Sequence, residues 1–249
     1  MKSATCVQHH FFVLLLMPTI ALADFMEGSA GLGSANPHIP EPLLFDLVRP
    51  LGAKKGELEV NTVLSQDNHG GPLEWAPEIE YAIADGLAFE LELPSENSRL
   101  TDYKMALQGT LSHNFNNPNL IQGWQVVTQK NRDSNQYTAD ALYINGIRLN
   151  QKWSTLNMLG IRKTAFSAAG RYVTLVNNNI FYDLNPKLTF GVELNHEIYP
   201  SGQWRYRLTP QIHRDINSNF TLQTGLSFSR LNERRTTEQA LALRLIYAF

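Results

Sequence analysis

From about residue 56 to the C-terminus, apolar side chains recur on every second position, and the 3.6-residue spacing of an amphipathic helix is nearly absent. Leu87, Phe89, Leu91 and Leu93 form one such set, and Tyr103, Met105, Leu107, Leu111 and Phe115 another, interrupted by Gly109. Trp204, Tyr206, Leu208 and Ile212 form a third, followed by Phe220, Leu222, Leu226 and Phe228. Successive strand residues point to opposite faces, so each set is one apolar strand face. The pattern predicts strands at about 56–65, 73–84, 87–94, 100–115, 121–131, 136–149, 153–164, 170–182, 187–199, 203–214, 219–230 and 238–249. Ten or fourteen strands are also compatible with the chain, because residues 136–182 alternate poorly.

The connections fall into two kinds. Compact turns rich in Asn, Asp, Gly and Pro occur at Ala84–Gly86, Asn116–Asn119, Asn150–Trp153, Asp183–Lys187 and Asp215–Asn219. More variable, polar links occur at Gln66–Gly71, Ser95–Arg99, Asn131–Asn135, Thr164–Ala169, Pro200–Gln203 and Asn232–Thr237. Short turns at one end and longer loops at the other fit an antiparallel transmembrane β-barrel, with an even strand number placing both termini on the periplasmic side. Aromatics at both ends of the Phe220–Phe228 face fit belts at two membrane interfaces. A periplasmic β-sandwich is the competing fold, since its core-facing positions also alternate.

The N-terminus adds a compartment. Lys2 precedes an apolar run, Phe11–Ala23, ending Ala21-Leu22-Ala23, which reads as a signal peptide over residues 1–23, cleaved near Ala23. Cys6, the one cysteine, lies inside it, so the mature chain is expected to carry no disulfide. Loss of Lys2 leaves 20 of the 21 basic residues against 23 acidic ones, a near balance that gives no reason to expect nucleic-acid binding. Residues 24–55 are interrupted by Gly28, Gly31, Gly33, Pro37, Pro40, Pro42 and Pro50, and read as an irregular periplasmic or lumenal arm. Within it Leu43–Val48 is expected to form a single helical turn, a plugging contact, or part of a poorly ordered leader. Residues 56–249 are the barrel.

Charge is sorted by region on the opposite, inward phase. Glu57, Glu59, Glu74, Glu78, Glu80, Glu90 and Glu92 occupy the first three strands, while Arg205, Arg207, His213 and Arg244 occupy late ones. Glu197 is expected beside Arg205 or Arg207 across a short loop. Such charges either neutralise one another structurally or form a lumen wall of acidic and basic sides that selects small solutes. Glu57, Glu59, Glu78, Glu80, Glu90, Glu92, Arg205, Arg207 and Arg244 are the candidate wall residues. Inward Tyr143, Tyr182 and Tyr199 would instead close the lumen.

Catalytic and metal chemistry is not evident. A membrane phospholipase needs His and Ser two apart on one outward face. His196 has Leu194 and Ile198 at those positions, His113 has Leu111 and Phe115, and His213 has Gln211 and Asp215. The mature histidines are isolated, with no ligand spacing. The loop Gln66–Gly71 reads as a hydrophilic turn in preference to a weak cation site. No enzyme activity, metal or cofactor is expected.

Two stretches carry a family resemblance. In Leu241–Phe249 the alternate residues Leu241, Leu243, Leu245, Tyr247 and Phe249 resemble the C-terminal strand signature of Gram-negative outer-membrane β-barrels. That resemblance implies that Leu245, Tyr247 and Phe249 are read by the barrel-assembly machinery. The hairpin from Trp75 to Pro94, with Pro77-Glu78-Ile79-Glu80-Tyr81 and Asp85-Gly86-Leu87-Ala88-Phe89, is similar to transporter-like barrels, including the group named for the meta-pathway of phenol degradation; the usual Gly after the Tyr is Ala82 here. It implies an outer-membrane channel or transporter for small, aromatic or apolar solutes, surrounded by outer-membrane lipids. The alternatives are a non-conducting structural or adhesive barrel and, third, a membrane-embedded lipid hydrolase.

Overall fold

The computed structural model describes residues 37–45, 47–111, 117–230 and 237–249. The predicted signal peptide, His113 and Phe115 lie outside them. Twelve long strands run in order: β1 (Leu58–Asp67), β2 (Glu74–Ala84), β3 (Leu87–Glu92), β4 (Asp102–Thr110), β5 (Leu120–Asn131), β6 (Tyr137–Arg148), β7 (Trp153–Lys163), β8 (Tyr172–Asn185), β9 (Leu188–Ile198), β10 (Trp204–Asp215), β11 (Phe220–Ser229) and β12 (Glu238–Ala248). Each pairs antiparallel with its sequence neighbour, and β1 also pairs with β12 from Glu59↔Ala248 to Asp67↔Ala240. The sheet is therefore a closed twelve-stranded barrel in which every long strand is paired on both sides.

Local chemistry sets the strand ends. β3 stops at Glu92 because Pro94 has no N–H for the ladder. The Pro94 carbonyl instead accepts from Thr101 N at 2.9 Å, and a short hairpin, Ser95–Glu96 with Arg99–Leu100, extends this end of the barrel. Gly86, at φ 71°, supplies the left-handed residue of the β2–β3 turn. Four further short turns are capped by an Asn side chain: Asn117 accepts from Asn119 N, Asn150 from Lys152 N and Trp153 N, Asn185 from Lys187 N, and Asn217 from Asn219 N and Phe220 N. These Asx turns are the local reason that Asn clusters there.

Outside, the apolar faces form a continuous belt. Leu91, Tyr103, Met105, Leu107, Leu208, Ile212, Leu241 and Tyr247 all point outward and are exposed. Gly109 interrupts this face because the Trp124 ring of β5 lies over it, within 2.4 Å of where a Cβ would stand. Aromatic pairs mark both rims: Tyr247–Phe249 and Trp153–Tyr182 at the short-turn end, and Trp204–Tyr206 at the other. Tyr143 is exposed on the outside and Tyr182 shares that face with Trp153, so neither closes the lumen.

Candidate functional site

The lumen is filled by the chain itself. Pro37, Pro40, Pro42 and Pro50 keep the described residues 37–45 and 47–53 out of helix and ladder, so their backbone groups need partners from elsewhere. Inward side chains of the wall provide them. Leu43 N and Leu44 N donate to Glu193 Oε2 at 3.1 and 3.0 Å, Val48 N to Gln125 Oε1 at 3.4 Å, and Gly52 N to Thr110 Oγ1 at 2.8 Å. Carbonyls are met as well: Gln108 Nε2 donates to Arg49 O at 2.6 Å, Arg207 Nη2 to Leu44 O at 3.2 Å, and Arg244 Nη1 to Pro42 O at 3.2 Å. Of the stretch Leu43–Val48, the described residues Leu43–Phe45, Leu47 and Val48 form no helical turn and make contacts with the lumen wall.

Apolar packing fixes the segment along one side. Ile39, Leu47 and Leu51 join a buried cluster with Ile121, Leu142, Ile144, Leu156, Met158, Val173, Leu175 and Phe181, the inward residues of β5–β8. Two wall glycines make room: a Cβ on Gly123 would stand 2.4 Å from Leu51 Cδ2, and one on Gly225 would stand 2.7 Å from Leu43 Cδ2.

The opposite sector is charged. The register sets Glu78 opposite Glu92, Glu80 opposite Glu90, and Glu59 opposite Glu80. Like charges directly opposite repel, so this arrangement requires counter-charge. Arg244 Nη2 lies 3.0 Å from Glu78 Oε1 and 3.4 Å from Glu80 Oε1, while its Nε donates to Asn61 Oδ1 at 3.2 Å. Lys104 pairs with Glu92 and, at 3.4 Å, with Glu90. Arg49 of the segment pairs with Glu59 at 2.8 Å and with Glu57, at the mouth of β1, at 3.2 Å. Barrel closure between β1 and β12 therefore places Arg244 inside the acidic cluster, rather than on a basic wall across the lumen from it.

Arg205 and Arg207 stand apart from that cluster on β10. Arg207 holds the segment, and Arg205 lies opposite Glu197 in register with its guanidinium 4.4 Å from the centre of the Tyr199 ring. Glu197 also accepts from Arg162 Nη1 at 2.8 Å and from the Tyr199 hydroxyl at 3.0 Å, and Arg162 in turn grips Asp140. Arg162, Asp140, Lys104 and the segment residues Glu41 and Arg49 were not picked out from sequence. Their signal is weak, because each depends on a cross-strand or cross-lumen partner. Burial, followed by repulsion from Glu59, raises the Glu41 carboxyl to about 8, with Arg244 and Arg49 opposing the shift.

Above the segment, a cavity of about 280 Å³ opens at the long-loop end. Its floor is Leu43–Phe45, and its walls include Glu74, Glu92, Lys104, Arg207 and Arg244. His196 stacks on Trp204 with ring centres 5.0 Å apart, and buried His213 meets Gln211 Oε1 at 2.9 Å. No described helix is long and apolar enough to cross a membrane; the apolar belt belongs to strands.

A family model described as HAEPLYID-like matches residues 37–131, which take in the lumenal segment and β1–β5. No curated protein matches the chain. Among solved structures, the fold is similar to that of the KdgM porin, with TM-score 0.62 and 9% identity over 77% of this chain and 99% of that one. It is likewise similar to the NanC porin, with TM-score 0.63 and 10% identity over 76% and 98%. An outer-membrane channel from Pseudomonas putida F1 gives TM-score 0.59 and 14% identity over 80% and 97%. The KdgM porin is also known in complex with disordered oligogalacturonate. The chain thus has the fold of outer-membrane porin and channel barrels.

Proposed function

We propose that this protein is an outer-membrane channel for small solutes, closed in the present conformation by residues 37–53. The observation that carries the reading is the vestibule, which leads inward from the long-loop end and stops on Leu43–Phe45. Those residues are held by side-chain hydrogen bonds and not by strand pairing. Such contacts can be exchanged without opening the barrel. Leu245, Tyr247 and Phe249, on the outward face of the last strand, serve as the assembly signal, and the apolar belt contacts lipid.

The charged wall sets the preference. Glu59, Glu78, Glu80, Glu90 and Glu92 outnumber Arg49, Lys104 and Arg244 on their sector, so neutral or cationic solutes suit the lumen better than a polyanion such as the one bound by the KdgM porin. The second reading, a non-conducting structural barrel, draws on the space left at Gly123 and Gly225 for the segment.

Planar-bilayer recording separates the two. The wild type should give discrete conductance steps. The Leu43→Cys/Gly225→Cys pair, oxidised to tether the segment, should be silent until reduced. Membrane-inserted wild type that never conducts would rule out the channel and leave the structural barrel.

A further inference from the structure

We infer that the outward face of β5–β8 is the contact surface for a second copy of this chain, joined through a row of amide side chains, Gln122, Asn145, Asn157 and Asn178. The register sets Gln122 opposite Asn145, Asn145 opposite Asn157, and Asn157 opposite Asn178, so one line of amides crosses these neighbouring strands. All are on the outward phase, since Ile121, Ile144, Leu156 and Asn177 beside them are buried. The row lies inside the apolar belt. Asn157 is four residues from Trp153 and six from Lys163, the two ends of β7, which at about 3.3 Å per residue and a tilt of about 40° is roughly 10 and 15 Å of height.

None of these amide groups makes a hydrogen bond to another described residue. Hydrocarbon supplies neither donor nor acceptor, so amides left facing lipid are costly. Bonds within the row could engage only one N–H per neighbouring pair, and each amide brings two. The other outward amides of the described strands, Gln66 and Gln239, stand at the long-loop end and are bonded, Gln66 to Gly71 O at 2.7 Å and Gln239 to Asn68 at 3.5 Å. Complementarity of charge selects the occupant. The outward phase of β5–β8 carries no charged side chain apart from Lys130 and Lys163 at the long-loop rim, and an amide, with a positive N–H edge and a negative carbonyl edge, is its own complement. A two-fold axis along the membrane normal keeps the row at one depth in both copies, so the central Asn145 and Asn157 meet their own counterparts. The size agrees: strands about 4.8 Å apart and about 33 Å long give roughly 600 Å² per copy over this face, about 1,200 Å² for the pair, the low end of stable interfaces.

The interface is independent of conduction and rests only on the belt lying in a membrane, which flotation of the refolded protein with phosphatidylcholine vesicles checks first. Protein that does not float removes the membrane placement and the interface together. In a Cys6→Ser background, Thr155→Cys, two residues from Asn157 on the same face, should give a dimer band with a short bis-maleimide, and Leu208→Cys on β10 should not. Single-molecule photobleaching over a lipid dilution series gives the dimer Kd, which Asn145→Leu/Asn157→Leu should weaken at least tenfold while the urea midpoint holds or rises. Vesicle-bound protein that stays monomeric at every dilution, a cross-link equal at Thr155→Cys and Leu208→Cys, or the same Kd in wild type and variant overturns the interface. A lower urea midpoint with an unchanged Kd shows that the amides bond one another within the barrel, and also overturns it. If the leucine variant fails to fold, the wild-type dilution series and the cross-link pair decide alone. Cross-linking of Thr155→Cys in cells to an unlike protein in place of a second copy assigns the face to another partner and is equally fatal.

Discussion

Glu193 is the strongest single tether of the lumenal segment, and its removal should free that segment by a calculable amount. Its Oε2 accepts from both Leu43 N and Leu44 N, and its Oε1 takes Asn195 Nδ2 at 2.7 Å. The residue is 0% exposed, so water does not replace it when the segment stays docked. Glu193→Ala strands one buried and one half-buried N–H donor, at about 1–3 kcal/mol for a fully buried one, roughly 2–4 kcal/mol on the docked state. Even about 2 kcal/mol shifts the docked–undocked equilibrium by about 30-fold. The assay is native-state maleimide labelling of Leu47→Cys, a position 1% exposed when docked, in a Cys6→Ser background. Labelling should accelerate at least about 30-fold in Glu193→Ala. Glu193→Gln should stay near the wild-type rate, because its amide oxygen can face Leu43 and Leu44 while its NH₂ serves Asn195 Oδ1, which lacks a donor. Equal labelling in Glu193→Ala and wild type, or equal acceleration in both variants, would refute the tether.

Two further outcomes are expected. Arg244→Met leaves Glu78 and Glu80 buried without their guanidinium and should cost about 3–5 kcal/mol, seen as a lower urea midpoint by tryptophan fluorescence, with Arg244→Lys recovering part of it. For Glu41 the docked pKa, about 8, exceeds the free value of 4.5, so docking is favoured by the neutral acid; that contribution is complete below 4.5 and lost as pH rises through about 8. Leu47→Cys labelling, normalised to the unfolded protein at each pH, should therefore quicken from pH 5 to 8, and Glu41→Gln should flatten that rise.

The strand count was legible because the outer face of the barrel is apolar along most strands. An apolar requirement on one face only imposes period two, and Asn or Gly turns punctuate it, so each of the twelve expected strands corresponds to an observed one, within three residues at the described ends; the expected end of the fourth, at 115, lies outside the described residues. The ends that differ have local causes: Pro94 stops β3 short and moves the start of β4 to Asp102. The charge cluster was only half legible. Glu78, Glu80, Glu90 and Glu92 share a phase that can be read from the chain, but their partner Arg244 lies 166 residues from Glu78 and reaches it only because β12 closes onto β1. Lys104 is a single cation in a strand, and nothing in its immediate sequence names Glu92 as its neighbour.

The least readable stretch carried the most information about the lumen. Residues 136–182 alternate poorly because β6, β7 and β8 are apolar on both faces. Tyr143, Leu159, Ile161 and Ile180 are exposed outside, while Leu142, Ile144, Leu156, Met158, Val173, Leu175 and Phe181 are buried inside. A water-filled pore has no use for seven large apolar side chains on one wall, since burying each against protein is worth roughly 1.5–3 kcal/mol relative to leaving it in water. Blurred alternation between well-patterned strands therefore signals an apolar occupant of the lumen. A segment outside the ladder supplies one here: Ile39, Leu47 and Leu51, between prolines that bar them from helix and sheet, pack on that wall. On the channel reading proposed above, conduction requires those three side chains to leave the wall, so Leu47→Cys labelling and single-channel opening should respond together to changes in residues that hold the segment.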